Sequence, residues 1–513
     1  MRLERKKNAV RGIATGFANK IVTLCLPFLV QTILIQKIGI EYAGLNGLFV
    51  SILHILNLTE LGFSEAVVHS MYKPIAEDDK ESICALLCFY KKVYFVIGLV
   101  ILGSGMLLLP FLPKLIHGTY PADVNLYALY LIYLLNTSVG YLLFGYKTSL
   151  LNAFQRVDLL NNISTLTSTL LNVTQIVLLI TTKSYFLYTV VMPFFTVLNN
   201  LLISVEVKKR FPQYICQGEI SAEMKGDMRK KVSGLMLQRV CAATRNTMDN
   251  IFVSAFLGLS ITAMYSNYYY IKHAVTILMG IIITSMLGGG IGNSVQMESK
   301  EANFTNMCRF DFMYMWLSSW FTTVLLCLYQ PFMKLWMGTE YMLGFPVVIL
   351  LCIYFYALKI GDVRSLYYQS AGLWWEGKWR ALVEFVMNVS LNFLLVQVMG
   401  ICGIILATLI ALISVNFFYG SRFVFKYYFG MEKLKKYYQL HGLYSVVTLL
   451  CCTVTYFFCE ILERLFPIRN ELLSLFFRGI ICVLIPNLFL LLAYAKTKMF
   501  QDMVQWLKRK GTK

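Results

Sequence analysis

Apolar stretches long enough to cross a bilayer recur along this 513-residue chain. Each runs to about 20 residues, the length with which an α-helix spans a hydrocarbon core of roughly 30 Å. Because 58% of the residues are hydrophobic and only 14% are charged, a soluble multidomain protein of this length could not cover its surface with polar groups. The sequence therefore predicts an all-α, polytopic membrane protein.

The basic residues predict its orientation. An even number of spans places both termini on one side, and both termini are basic. Of the 46 Lys and Arg residues, 33 lie on that side, 6 lie on the other and 7 lie within spans. This bias marks the cytoplasmic side of the membrane, so the net charge of +19 indicates topology and contact with anionic phospholipids, and no nucleic-acid partner is expected. The fourteen predicted spans are 13–36, 43–68, 93–113, 124–146, 159–181, 186–206, 234–258, 260–287, 310–330, 344–370, 381–399, 402–424, 440–462 and 472–495.

The longest inner loop follows the sixth span and predicts a seam between two lobes. Paired lobes are how transporters place a binding site near the membrane midplane. We expect two six-helix lobes around a central cavity, then two extra helices and a basic cytoplasmic tail. An apolar stripe from Met499 to Leu507 fits either an interfacial helix or a frayed end of that tail. The predicted boundaries are 1–207, 208–232, 233–425 and 426–513.

The seventh span, "GLMLQRVCAATRNTMDNIFVSAFLGL" (234–259), carries three charges in one crossing. Those charges cost roughly 8 to 10 kcal/mol on an insertion scale, whereas its strongly apolar residues return only about 2.5 to 5 kcal/mol. The polar residues also share an arc of roughly 140° when the segment is wound as a helix. This helix is therefore expected to face protein or water rather than lipid. The arc contains Gln238, Arg239, Arg245, Asn246, Asp249 and Asn250.

Other spans add polar side chains that are mainly cationic. Basic groups in a partly wet, low-dielectric cavity attract diphosphate, and tyrosine rings and hydroxyls suit sugars. The predicted substrate-binding residues are Lys20, Arg239, Arg245, Lys272, Arg364, Asn57, Asn246, Asn250, Tyr268 and Tyr269.

Structural roles compete with these assignments. Arg245 and Asp249 are spaced i,i+4 and could neutralise each other. Lys359 and Arg364 lie near a span end and could extend to the headgroups. Glu60 and Asp249 either carry a coupling ion, a proton or sodium, or serve as counter-ions to the arginines.

Signatures of catalysis and of metal binding are missing from the sequence. There is no GxxxxGK[ST], HExxH or GxSxG, and "GGGIG" (288–292) reads as a loop or hinge. The five histidines are scattered, and the 13 cysteines, which lie mostly within spans, show no CxxC spacing. We expect inert buried thiols, no metal, no bound cofactor and no enzymatic activity.

The segment "YYQSAGLWWEGKWRALVEFVMNVSLNFLLVQVMGICGIILATLIA" (367–411) closely resembles bacterial polysaccharide flippases. "LNLTELGFSEAVV" (56–68) and "LNAFQRVDLLNNIS" (151–164) look like further spans of that family. The residues that fit the pattern of 367–411 are Ala371, Gly372, Leu373, Trp374, Lys378, Arg380, Glu384, Asn388, Gly400 and Gly403.

This resemblance implies the multidrug/oligosaccharidyl-lipid/polysaccharide exporter superfamily, with two six-helix bundles and alternating access to a central cavity. Its polysaccharide branch moves undecaprenyl-diphosphate-linked oligosaccharide between leaflets. In related lipid II flippases, arginines in the first and eighth spans serve the diphosphate. Here those spans carry Lys20 and Lys272, so point charges replace bidentate guanidinium groups.

The expected function is therefore flipping of an undecaprenyl-diphosphate-linked oligosaccharide for surface polysaccharide assembly, with polysaccharide polymerase machinery as a candidate partner. A multidrug or cation exporter of the same superfamily is the first alternative, although it would favour an acidic cavity. A membrane polysaccharide polymerase or ligase is the second, although such enzymes need larger outer loops than this chain has.

Overall fold

A computed structural model gives the fold of the chain. Every regular element that it describes is helical, as predicted. The chain forms two compact units, Met1–Ala263 and Met264–Lys513. The described residues are 5–57, 63–221, 225–226, 247–286, 291–373 and 378–511.

The first unit packs long helices side by side. Helix α1 lies along α7, and α8 packs against α5 and α7. One hydrophobic cluster gathers buried residues such as Tyr90, Leu150 and Phe154. Its helices are α1 Arg5–Lys37, α2 Ile40–Leu56, α3 Phe63–Ala76, α4 Lys80–Leu108, α5 Leu126–Leu142, α6 Thr148–Ala153, α7 Val157–Thr182, α8 Tyr185–Arg210 and α9 Thr247–Leu257, followed by the start of α10 Leu259–Met286.

The second unit is organised around one helix, α12, which packs against α13, α17 and α18. Two π-helical segments, Leu412–Tyr419 and Phe425–Phe429, flank the short helix α16. Its helices after α10 are α11 Gly292–Met297, α12 Lys300–Met337, α13 Phe345–Lys359, α14 Asp362–Ser370, α15 Lys378–Ala411, α16 Gly420–Val424, α17 Leu434–Leu465, α18 Glu471–Tyr494 and α19 Lys498–Gly511.

The helices support the predicted spans. Each of the fourteen spans falls on helix within the described residues, the seventh through α9. In that part of the chain nine helices are long and apolar enough to cross a membrane, or ten if α5 and the segment Gly145–Ala153, bent by 49°, count as one span. The chain is a multi-pass membrane protein.

Helix α12 is longer than a bilayer crossing requires. Its 38 residues extend about 57 Å at 1.5 Å per residue, against a hydrocarbon core of roughly 30 Å. It begins at Lys300, ten residues before the predicted start of span nine. Residues that the sequence places at a span end, such as Asp311, therefore lie three turns inside the helix.

A glycine pair separates spans eleven and twelve. Within α15, Gly400 adopts φ 54° and ψ −132°, which breaks the helix between the two predicted spans. A Cβ atom on Gly403 would lie 2.1 Å from the carbonyl oxygen of Leu395. The break therefore needs a glycine at both positions, for different reasons: backbone conformation at the first and space at the second.

The C-terminal tail forms a helix that packs on the protein. Met499, Phe500 and Met503 of α19 pack against a buried cluster around Phe312. The rings of Trp316 and Phe500 stack with centroids 6.0 Å apart. At least half of the predicted apolar stripe is thus covered by the second unit, so the tail is not a frayed end.

The two compact units divide inside α10, between Ala263 and Met264. The predicted seam at 208–232 is described only over 208–221 and 225–226. The lobe boundaries 1–207 and 233–425 stay a prediction.

We expect Gly403→Ala to destabilise the second unit by about 1–3 kcal/mol, because the added methyl group overlaps a backbone carbonyl that cannot rotate away. The matched control is Gly442→Ala on α17, where no atom lies within 4 Å of the position that the added methyl group would take. Removing a mid-helix glycine should leave stability unchanged or raise it by up to about 1 kcal/mol. Thermal unfolding of the detergent-purified proteins measures both, and equal melting temperatures would contradict the packing argument.

Candidate functional site

Lys272 of α10 is a buried cation held by two aromatic rings. Its side chain is only 1% exposed. The Nζ atom lies 3.4 Å from the ring centroid of Tyr354 on α13 and 4.1 Å from that of Tyr269. Contacts of this kind stabilise a desolvated cation by about 2 kcal/mol or more. The second unit therefore holds a lysine side chain inside the protein, and its role in binding a substrate anion stays a prediction.

Tyr268 precedes Tyr269 in sequence, and its hydrogen bonds lie within the fold. Its hydroxyl donates to Oε1 of Gln330 at 2.7 Å and accepts from the backbone N–H of Leu343 at 3.3 Å. Its backbone carbonyl accepts from the Tyr329 hydroxyl at 3.1 Å. These bonds tie α10 to α12, and they occupy the hydroxyl that was predicted to contact sugars.

Arg364 lies in a nest of oxygen acceptors. Its Nη1 donates to the carbonyls of Asn416 and Phe417, at 3.0 and 3.2 Å, and to the Ser421 hydroxyl at 2.7 Å. The two carbonyls belong to a π-helical segment, a form of helix that is frequent at functional sites. The guanidinium is buried, so it does not extend to the headgroups as the competing interpretation holds.

A second guanidinium approaches Arg364. The side-chain oxygen of Asn416 accepts from Nη1 of Arg380 and from Nη2 of Arg364, each at 3.1 Å. A Cβ atom on Gly420 would lie 3.3 Å from a nitrogen of either guanidinium. Two like charges thus converge on one amide and one glycine. Arg380 belongs to the segment that resembles polysaccharide flippases.

Lys359 and Asp362 form an ion pair rather than separate polar groups. Nζ of Lys359 lies 3.0 Å from Oδ2 of Asp362, and the Tyr314 hydroxyl donates to the same oxygen at 2.6 Å. Lys359 is buried, and Tyr314 comes from the middle of α12. The carboxylate neutralises Lys359, so this lysine is engaged within the fold rather than offered to a substrate anion.

Asp311 and His441 form a buried titratable pair that the sequence did not single out. Nε2 of His441 on α17 lies 2.9 Å from Oδ2 of Asp311 on α12, and both side chains are almost fully buried. The rings of Tyr437 and Tyr444 contact the imidazole edge to face. The predicted spans begin at 310 and 440, so the sequence placed both residues near the membrane interface, where a charged group costs little free energy. The helices begin earlier, at Lys300 and Leu434, so both residues lie inside the unit.

An amide ladder joins the two halves of α15. Asn388 donates to the Thr408 hydroxyl at 2.9 Å, and Asn392 donates to Oδ1 of Asn388 at 3.3 Å. Glu384 lies one turn before them and is buried as well. The fold thus places Asn388 against the opposite half of the broken helix.

In the first unit the predicted residues differ in exposure. Lys20 is exposed on α1, beside Asn19, which donates to the Thr165 hydroxyl at 2.8 Å. Asp249 is 1% exposed. Asn250 donates to the Ser51 hydroxyl at 3.0 Å and so connects α9 with α2.

Asn57 caps the C-terminal end of α2. Four predicted residues, Glu60, Arg239, Arg245 and Asn246, lie outside the described part of the chain, and their assignments stay predictions.

Comparison with known proteins shows which solved structures share this architecture. No family model and no curated protein matches the sequence. Among solved structures, the chain is similar to the lipid II flippase MurJ in an inward closed conformation, with a TM-score of 0.67 and 16% identity over 95% of this chain and 99% of that one. The chain has a MurJ-like fold.

Multidrug transporters share the fold. An inward-facing MATE transporter of the MOP superfamily matches with a TM-score of 0.57 and 16% identity, covering 80% of this chain and 95% of its own. The Vibrio cholerae MATE transporter VcmN in the bent form matches with a TM-score of 0.54 and 14% identity, covering 86% and 99%. MurJ and the MATE proteins share one fold, and these likenesses confirm the predicted fold of the chain.

Removing the carboxylate of the buried pair should destabilise the protein. Asp311→Ala removes the carboxylate that lies 2.9 Å from Nε2 of His441 and leaves a buried polar imidazole without this contact, which we expect to cost about 1–3 kcal/mol. The double variant Asp311→Leu/His441→Leu should recover much of that loss, because neither polar group then remains buried. Thermal unfolding in detergent provides the measurement, with the exposed Glu432→Gln as control. A double variant less stable than Asp311→Ala would contradict the pairing.

Proposed function

We propose that the protein flips an undecaprenyl-diphosphate-linked oligosaccharide across the bacterial cytoplasmic membrane for surface polysaccharide assembly. The observation that carries this proposal is the MurJ-like fold, which extends over 95% of the chain, together with a buried lysine on α10. The flippase that it resembles acts on lipid II, and the sequence itself resembles polysaccharide flippases between 367 and 411.

The proposed mechanism assigns one task to each part of the substrate. Lys272, with Lys20, Arg239 and Arg245, would bind the diphosphate, because charge-assisted hydrogen bonds in a low-dielectric site are strong. Tyr269 would offer a ring face to a sugar. The polyprenyl chain would remain in lipid while alternating access carries the head group across.

Coupling to an ion is a separate part of the proposal. Asp249 is a carboxyl group buried in the first unit, and such groups inside transporters often bind a coupling proton or sodium. Glu60 is the second candidate. Both termini would face the cytoplasm, since the basic loops lie on their side.

A multidrug or cation exporter is the second candidate, because MATE transporters share the fold. The burial of Lys272 between two tyrosine rings argues against it, since a fixed positive charge repels a cationic drug. A polysaccharide polymerase or ligase has less support, because the solved structures that the chain resembles are flippases and transporters.

Neutralising the proposed phosphate ligands should block flipping. We expect Lys272→Gln, Arg239→Ala and Arg245→Ala to slow leaflet exchange of a fluorescent undecaprenyl-diphosphate oligosaccharide at least tenfold in reconstituted vesicles, because each removes a charged hydrogen bond of about 1.5–3 kcal/mol. Lys426→Gln removes an exposed lysine and should exchange lipid at the normal rate. Protein amount in the vesicles is the second control.

The same vesicles discriminate among the three functions. Normal exchange by all three site variants would remove those residues from the site. Export of a cationic dye without lipid exchange would favour the multidrug transporter. Lengthening of the glycan would favour the polymerase.

The coupling proposal predicts a different result for Asp249→Asn. This variant should lose the stimulation that an imposed proton or sodium gradient gives to exchange, while exchange without a gradient continues. A gradient response equal to that of the unsubstituted protein would assign Asp249 a structural role.

A further inference from the structure

Three cysteines from three different helices meet inside the second unit. They are Cys327 of α12, Cys459 of α17 and Cys482 of α18, and each is only 1% exposed. Their sulfur atoms all lie within 4.8 Å of one another. The residues are separated by 132 and 23 positions in sequence, so spacing rules such as CxxC could not reveal the group. We name it the thiol triad.

The surroundings of the thiol triad are apolar and carry one nearby cation. Val324, Leu328 and Ile485 pack against it. Arg478 lies about one helical turn before Cys482 on α18.

Arg478 itself is held by Glu460, at 2.9 Å, and by Glu463. The indole N–H of Trp320 donates to the backbone carbonyl of Cys482 at 2.9 Å, which fixes the backbone that carries this cysteine. Hydrogen-bonded groups that orient the ligands are typical of a built metal site.

Other buried thiols of this unit interact with hydroxyl and carbonyl groups instead. Cys452 lies 3.3 Å from the Thr323 hydroxyl, and Cys451 donates to the carbonyl of Pro486 at 3.8 Å. The Thr323 hydroxyl also donates to the Cys451 sulfur, at 3.7 Å. The thiol triad differs because its members face one another.

We propose that the thiol triad binds one soft, thiophilic cation of low coordination number. Among the cations of this class that occur in cells, we propose Cu(I). Three atoms at the corners of a 4.8 Å triangle lie about 2.8 Å from its centre, and metal–thiolate bonds of about 2.3 Å need each sulfur to move inward by only about half an ångström. Thiolate ligands select Cu(I) and zinc among the common metals. This proposal replaces the expectation of inert thiols with a specific site.

The ligand count favours Cu(I) over zinc. Structural zinc is almost always four-coordinate. Glu460 and Glu463, the carboxylates beside the triad, already bind Arg478. If either glutamate became a fourth ligand, its ion pair with Arg478 would be broken. Each cysteine that binds as a thiolate releases its proton to solvent, and copper stays in the +1 state throughout.

Such an ion would connect α17 and α18, the helices of the C-terminal extension, to α12. A cation that binds the folded form and not the unfolded form raises stability by mass action. This inference does not depend on the proposed flippase activity.

The test uses the full-length protein in detergent. Cu(I), held by ascorbate and a chromophoric chelator in competition, is titrated into the reduced protein. We expect one tightly bound Cu(I) per chain, three sulfur neighbours in X-ray absorption, and a higher melting temperature. Cys459→Ser should bind at least tenfold more weakly, whereas Cys352→Ser, which removes a buried thiol outside the triad, should bind normally.

Several outcomes would overturn the proposal. These are no Cu(I) bound by the unsubstituted protein, equal binding by Cys459→Ser, or a disulfide between two triad cysteines in the protein as purified. If Cys459→Ser fails to fold, alkylation of the unsubstituted protein tests the site instead. When the Cu(I)-loaded protein is rapidly unfolded in the presence of an alkylating reagent, Cys327, Cys459 and Cys482 should be protected from alkylation, whereas Cys25 should react. Equal alkylation of all four thiols would contradict the proposal.

Discussion

A charge inside a hydrocarbon layer is tolerated only where protein surrounds it and offers a compensating group. This constraint organises the second unit. Lys359 is paired with Asp362, Asp311 with His441, and the Arg364 guanidinium with a set of oxygens. Lys272 lies against two ring faces, which stabilise its ammonium group inside the protein.

Helix α12 provides many of these compensating contacts. Its length allows polar side chains to alternate with apolar ones over several turns while α17 and α18 pack beside it. The Ser319 and Thr448 hydroxyls are hydrogen-bonded, and Trp316 donates to Asn487 at 3.0 Å. The two C-terminal helices are thus attached by polar as well as apolar contacts. The thiol triad lies where α12, α17 and α18 meet, so a bound cation there would strengthen the attachment of the two C-terminal helices to α12.

Two kinds of transporter share the fold of this chain. MurJ and MATE proteins share the architecture, so the fold alone is compatible with lipid-linked or drug-like cargo. In the second unit, Lys272 is buried between two tyrosine rings, and Arg364 and Arg380 converge on Asn416. The clustering of guanidinium groups around Asn416 also explains why glycine occupies position 420, where a side chain would displace both.

The sequence by itself determined the all-helical, membrane-spanning architecture, because hydrophobic length and the placement of charge depend only on local composition. It also predicted a break between spans 381–399 and 402–424, where Gly400 lies, and it placed Lys272 within the eighth span. Only the tertiary structure decided which partners the buried groups meet. Asp311 and His441 are 130 positions apart, and the thiol triad comes from three helices. Helical periodicity assigns a side chain to a face, but the neighbour on that face is set by how the helices pack.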